Sequence, residues 1–172
     1  MTDFNRAIRY LAYTLELLVL FMLQETPGLL PSIFDARPVL LLPAAITIAL
    51  FEPELPSLAF GIVGGLFADF GLSGLLGFHA LLLGVLCFFV SLLSRQYLQL
   101  NIVTAVITGV WTIGIVISLG WLFFYYLKGY SMPGYAFTHH YLPKYFYTML
   151  FVPLVYFMNK GLFQAVRSPD DV

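Results

Sequence analysis

Charge is what this chain has least of. Only 10% of its 172 residues are Asp, Glu, Lys or Arg, against about 25% in a soluble domain. So few charges could not cover a water-facing surface. Composition therefore puts the chain in a membrane, as one domain over residues 1–172. The charges nearly cancel, 8 basic against 9 acidic, and the net charge of −1 leaves no basic surface for nucleic acid. Cysteine is almost missing: Cys87 stands alone inside an apolar run, which excludes a disulfide framework and reads as a small packing residue. Alternating ten-residue strands are also lacking, which excludes an outer-membrane barrel. No small-x-small cleavage site follows the first apolar run. Residues 10–23 are interrupted by Glu16 and followed by Gln24-Glu25-Thr26-Pro27, so the expectation is a retained span, not a cleaved signal.

What the chain does have is apolar length. It is 60% hydrophobic and 17% aromatic, in six segments at roughly 7–24, 38–51, 55–70, 75–94, 102–127 and 142–160. Lipid offers no hydrogen-bond partners, so each span must satisfy its own backbone as a helix. The expected fold is an all-α polytopic membrane protein of about six transmembrane helices. Spans two and three are short; fourteen residues of helix reach about 21 Å against a hydrocarbon core of about 30 Å. They could cross a thinned bilayer or form a re-entrant pair, with Pro43 as a possible kink. Either choice keeps the parity even. With both termini cytoplasmic, Arg6, Arg9, Arg95, Lys160 and Arg167 lie inside, and Arg37, Lys128 and Lys144 outside, a positive-inside bias. Tyr10, Tyr13, Tyr97 and Tyr156 would then mark the inner interface, and Trp121, Tyr125, Tyr126, Tyr141 and Tyr145 the outer one.

Several polar residues fall where lipid is expected. Glu16 sits mid-span, where an acid costs about 2.5–3.5 kcal/mol on translocon scales. It is either a proton or ligand site, or a hydrogen-bond partner for the Thr104, Thr108, Thr112 stripe of span five. Ser57, Gly61, Gly65 and Asp69 are spaced by four and share one helix ridge, flattened further by Gly64 and Ala68. Such a ridge lets another backbone approach closely, as in GxxxG packing. Gly71, Gly74 and Gly77 follow as a permissive loop. Asp69 and His79 could meet across it as an acid–base pair, or Asp69 could accept backbone N–H groups and cap span four. No nucleophile at fixed spacing completes a catalytic set, so no enzyme activity and no cofactor is expected. His139-His140 lacks a carboxylate or cysteine at ligand spacing, so no metal is expected either. The Tyr/His-rich stretch 129–144 reads as a long loop.

Four features carry a family resemblance. They are Leu23-Gln24-Glu25-Thr26 at the end of span one, Arg37-Pro38 opening span two, the core Gly61-x-x-Gly64-Gly65-x-x-x-Asp69 with Leu76-Gly77 eight residues on, and the six-segment hydropathy over essentially the whole length. In these the chain resembles the MreD family of the bacterial rod-shape (elongation) system. One departure is Val39, where the family often has Asp or Asn after the Arg-Pro pair. The resemblance implies a fold similar to the substrate-binding subunits of energy-coupling-factor vitamin transporters. It also implies a non-enzymatic scaffold in the bacterial inner membrane. Its partners would be an MreC-like single-span protein and, through it, the MreB filament and the SEDS glycosyltransferase–transpeptidase synthase of peptidoglycan. In that setting the ridge packs either on the chain's own helices or on a partner span. A substrate-binding subunit of a small-molecule transporter is the alternative function; a membrane enzyme or proton-coupled unit using Glu16, Asp69 or His79 is a further one.

Overall fold

The computed structural model describes residues 2–29, 31, 36–72, 76–97, 99–129 and 133–166. Among them the regular structure is helical: α1 (Thr2–Glu25), α2 (Leu41–Phe51), α3 (Glu54–Leu72), α4 (Phe78–Gln96), α5 (Ile102–Trp121), α6 (Pro133–Ala136), α7 (Leu142–Leu150) and α8 (Val152–Ala165). Four stretches are long and apolar enough to cross a membrane: Phe4–Glu25, Phe78–Gln96, Ile102–Tyr126 and Gly134–Ala165. Their outer faces carry stripes of exposed large apolar residues, such as Leu11, Leu15, Leu18 and Met22 on α1 and Val103, Ile107 and Trp111 on α5. A water-soluble monomer rarely exposes so much contiguous apolar surface. The chain is a helical bundle built for lipid contact.

The bundle is arranged around a short buried helix. All eleven residues of α2 are buried, and it packs against α1, α3, α4, α5, α7 and α8. A helix that is apolar all round belongs inside. At 1.5 Å per residue, α2 is about 16 Å long, half of a bilayer core. It is therefore an internal half-height post and not a span. Pro43 falls in its first turn, where the missing N–H has no intrahelical acceptor anyway. There it costs no backbone hydrogen bond. Span three is longer than expected: α3 has 19 residues, about 28 Å.

The far end also differs from the sequence expectation. The stretch 129–144, read as a loop, is helical from Pro133 and runs through a π-helical turn, Phe137–Tyr141, into α7. Pro143 explains the π turn. A proline within a helix loses one donor and crowds the preceding turn, and widening that turn, with Leu142 N–H donating to Phe137 O, relieves the crowding. A second π turn, Leu122–Tyr126, ends α5. Tyr13 and Tyr156, expected at an interface, are core residues.

Because α2 ends in the interior, its last carbonyls need partners from neighbours. Ser94 Oγ donates to Leu50 O at 3.2 Å, and Ser57 Oγ and Ser91 Oγ donate to Glu52 O at 3.0 and 2.6 Å. Glu52 itself, fully buried, makes a two-point ion pair with Arg9 of α1, one leg being Arg9 Nη2 to Oε2 at 3.2 Å. The Arg9 guanidinium also lies 5.1 Å over the Phe163 ring of α8. This end of the bundle is closed by polar pairs.

Candidate functional site

The other end of α2 is built differently, and the residues singled out in the sequence gather there. Gly61 and Gly65 put the α3 ridge directly on α4. A Cβ at Gly61 would stand 2.8 Å from Leu83 O and 2.9 Å from Gly84 Cα, and one at Gly65 would overlap the backbone of His79 and Ala80. Gly64 turns to a second face, where its Cβ position is 3.4 Å from Ala45 Cβ of α2. Ser57 and Ala68 are buried, and Cys87 packs against Gly61 from α4. Of the two uses open to the ridge, the internal one is realised: α4 occupies it.

The ridge ends in a corner. Asp69 is buried and accepts three backbone N–H groups at the start of α4: Gly77 at 2.8 Å and Ala80 at 3.3 Å on Oδ2, and His79 at 3.0 Å on Oδ1. His79 Nδ1 lies 2.7 Å from Oδ1. A carboxylate only accepts, so Nδ1 carries the proton. Gly77 holds φ +97°, a left-handed conformation that glycine adopts without a Cβ penalty. The two sequence readings of Asp69 thus coincide in one geometry. It caps α4 by satisfying N–H groups that have no intrahelical acceptor, and it touches His79. The His79 ring stacks over Phe124 at 6.2 Å and meets Phe78 edge-on at 5.2 Å, which fixes its orientation.

Beside this corner lies a cavity of about 220 Å³, lined by Gln24 and Glu25 of α1, Arg37, Pro38 and Val39 ahead of α2, Gly71 of α3, and His140 and Lys144 from the π turn and α7. It exists because α2 is only half as tall as the helices around it. The chain above α2 is pinned by Val39 N–H donating to Thr148 Oγ1 of α7 at 3.1 Å. Gly71 leaves room for the Glu25 carboxyl, which a Cβ would strike. Gln24 Nε2 donates to Glu25 Oε1 at 3.4 Å, while Gln24 Oε1 is buried without a hydrogen-bond partner.

Glu16 lies elsewhere, between α1 and α8. The expected partner stripe on α5 does not serve it: Thr108 turns its hydroxyl back onto Thr104 O and Ala105 O of its own helix. Asn159 of α8 is the polar side chain that interacts with Glu16. Neither carboxyl oxygen has a hydrogen-bond partner among the described residues. Asn159 Nδ2 donates to Thr47 Oγ1 at 2.8 Å, which ties α8 to α2. His139 and His140 do not act as a pair: His139 stacks on Tyr135 at 4.0 Å and its Nδ1 lies 3.0 Å from Thr138 Oγ1, while His140 faces the cavity.

Sequence reasoning missed Arg9–Glu52, Asn159, Thr148 and the inward role of Lys144. Asn159 carried the same signal as Glu16, a polar group inside an apolar segment. Lys144 was assigned to a loop end, and only the helical course of 133–150 brings it back into the bundle. No family model, curated protein or solved structure matches the chain.

Proposed function

We propose that this chain is a non-enzymatic membrane scaffold of a bacterial cell-elongation complex, of the MreD kind, that binds an MreC-like single-span protein in the inner membrane. One observation carries the reading. The segments in which the chain resembles that family are far apart in sequence yet meet at one end of the bundle. Gln24, Glu25, Arg37, Pro38 and Gly71 share a cavity, next to the corner formed by Asp69, Gly77 and His79. Motifs that converge in space share a constraint, which favours the resemblance over coincidence of hydropathy. In this reading both termini are cytoplasmic. Arg9, Arg95 and Lys160 belong to the Glu52 end, consistent with a positive-inside orientation.

The α3 ridge is already covered by α4, so a partner span docks elsewhere. The lipid-facing groove of α5 suits it, with Gly114 and Ser118 at i and i+4 between Val110, Trp111, Ile115 and Leu119. The test is affinity purification of the full chain from its native membranes, followed by identification of bound chains. The expected companion is a single-span protein, lost from the Gly114→Leu/Ser118→Leu variant while the unfolding temperature is kept. A chain that purifies alone and retains a vitamin-like molecule overturns this in favour of a transporter subunit. Recovery of the companion at wild-type level by the double variant rejects the α5 groove.

A further inference from the structure

Two cations line the cavity above α2. Arg37 and Lys144 both line it, and among the described residues neither makes a hydrogen bond or ion pair. Among the described residues Glu25 is the single acid in the lining, and it is engaged by Gln24 and lodged against Gly71. A lysine on a segment otherwise fit to cross lipid is expected to face a polar cavity, and Lys144 does so. Gln24 supplies an independent sign. Its side chain is 93% removed from solvent, since only 7% is exposed; its amide N–H is spent on Glu25 and its Oε1 has no donor. A buried acceptor left without a donor costs about 1–3 kcal/mol. Gln24 also lines the cavity, so a small turn of its amide would offer this acceptor to a donor inside it.

We infer that this cavity binds a phosphate ester that also carries a hydroxyl, as in a phosphoglycerol group. The phosphate oxygens answer Arg37, by its bidentate fork, and Lys144. The hydroxyl donates to Gln24 Oε1. The volume fits such a group. At about 220 Å³ it far exceeds the ~30 Å³ share of one water and falls short of the about 300–1,000 Å³ of pockets for drug-sized ligands. Position also matters: the site sits at one end of the bundle, where the long helices rise past α2, and in the orientation proposed above that end faces a membrane surface. The same chemistry could come from an anionic lipid or from a free phosphate ester. This assignment does not depend on the partner proposed above.

The experiment uses the full chain in nanodiscs of phosphatidylcholine with and without phosphatidylglycerol, released into native mass spectrometry, with glycerol 3-phosphate and inorganic phosphate as soluble probes. One phosphatidylglycerol per chain is expected to be retained in preference to phosphatidylcholine. Arg37→Gln/Lys144→Gln should lower that retention at least tenfold at an unchanged unfolding temperature. Gln24→Leu, which removes the acceptor, should lower it while leaving the unfolding temperature equal or higher. If Lys144→Gln impairs folding, Arg37→Gln and Gln24→Leu alone carry the comparison. Binding of glycerol 3-phosphate without lipid retention, lost in the same variants, supports the site and assigns it a soluble ligand. Equal retention of both lipids with no soluble binding, or retention unchanged in every variant, overturns the proposal.

Discussion

The two ends of α2 face the same problem and solve it in opposite ways. Both bring polar groups into an apolar bundle. At the Glu52 end, each is met from within: Arg9 pairs with Glu52, and three serines satisfy the last carbonyls. At the Asp69 end, Asp69 is fully used in capping α4, but next to it Arg37, Lys144 and Gln24 line a cavity, and the Gln24 carbonyl has no hydrogen-bond partner among the described residues. A closed polar end fixes the position of a buried helix. A polar end with unmet groups around a cavity is suited to something that comes and goes.

Breaking the closed end should have the largest effect. Arg9→Leu or Glu52→Leu each strands a buried charge and should destabilise the protein by about 3–5 kcal/mol, read as a loss of thermal stability in detergent. The double variant should recover most of it, because two apolar residues leave no orphan charge. Additive losses would show that the pair is not a coupled unit.

The ridge comes next. Gly65→Ala drives a Cβ into the backbone of α4 and should cost about 1–3 kcal/mol or more, whereas Gly64→Ala meets side chains alone, Ala45 Cβ at 3.4 Å, Leu17 Cδ2 at 3.6 Å and Leu83 Cδ2 at 3.9 Å, and should stay within about 0.5 kcal/mol. Similar losses at both positions would mean that α3 and α4 are not in close register. At the corner, Asp69→Asn keeps one acceptor oxygen but loses the charge-assisted bonds, and should cost about 1–3 kcal/mol. The readout is faster hydrogen exchange at the first turn of α4; unchanged exchange would contradict capping.

Glu16→Gln should also have a small effect, within about 1 kcal/mol, since a neutral amide of the same shape can keep the contact with Asn159. If that variant folds and keeps the proposed companion chain, yet cannot replace the wild-type chain in cells, the proton-coupled reading of Glu16 gains over the scaffold reading.

The residue pattern made part of this legible. Uninterrupted apolar runs dictated helices, because a backbone in lipid has no other way to satisfy itself. The four-residue spacing of Ser57, Gly61, Gly65 and Asp69 dictated a close-packing ridge. The half-height of α2 was less legible: its apolar run could equally have been a thinned-membrane span, and periodicity does not distinguish a helix surrounded by lipid from one surrounded by protein. Stretch 129–144 misled because its prolines, glycines and histidines resemble loop composition, while a π turn absorbs Pro143 at the cost of one extra residue.

By itself, then, the sequence determined that the chain is helical and membrane-bound, and that a glycine ridge closes on an aspartate. Those are local facts of hydropathy and spacing. Only the tertiary structure decided that the ridge faces α4, that Arg9 answers Glu52 across 43 positions, and that Lys144 points to a cavity with Arg37 and Gln24. Pairings between distant segments depend on which helix stands beside which. That choice is set by how the whole bundle closes over a buried helix too short to reach both of its ends.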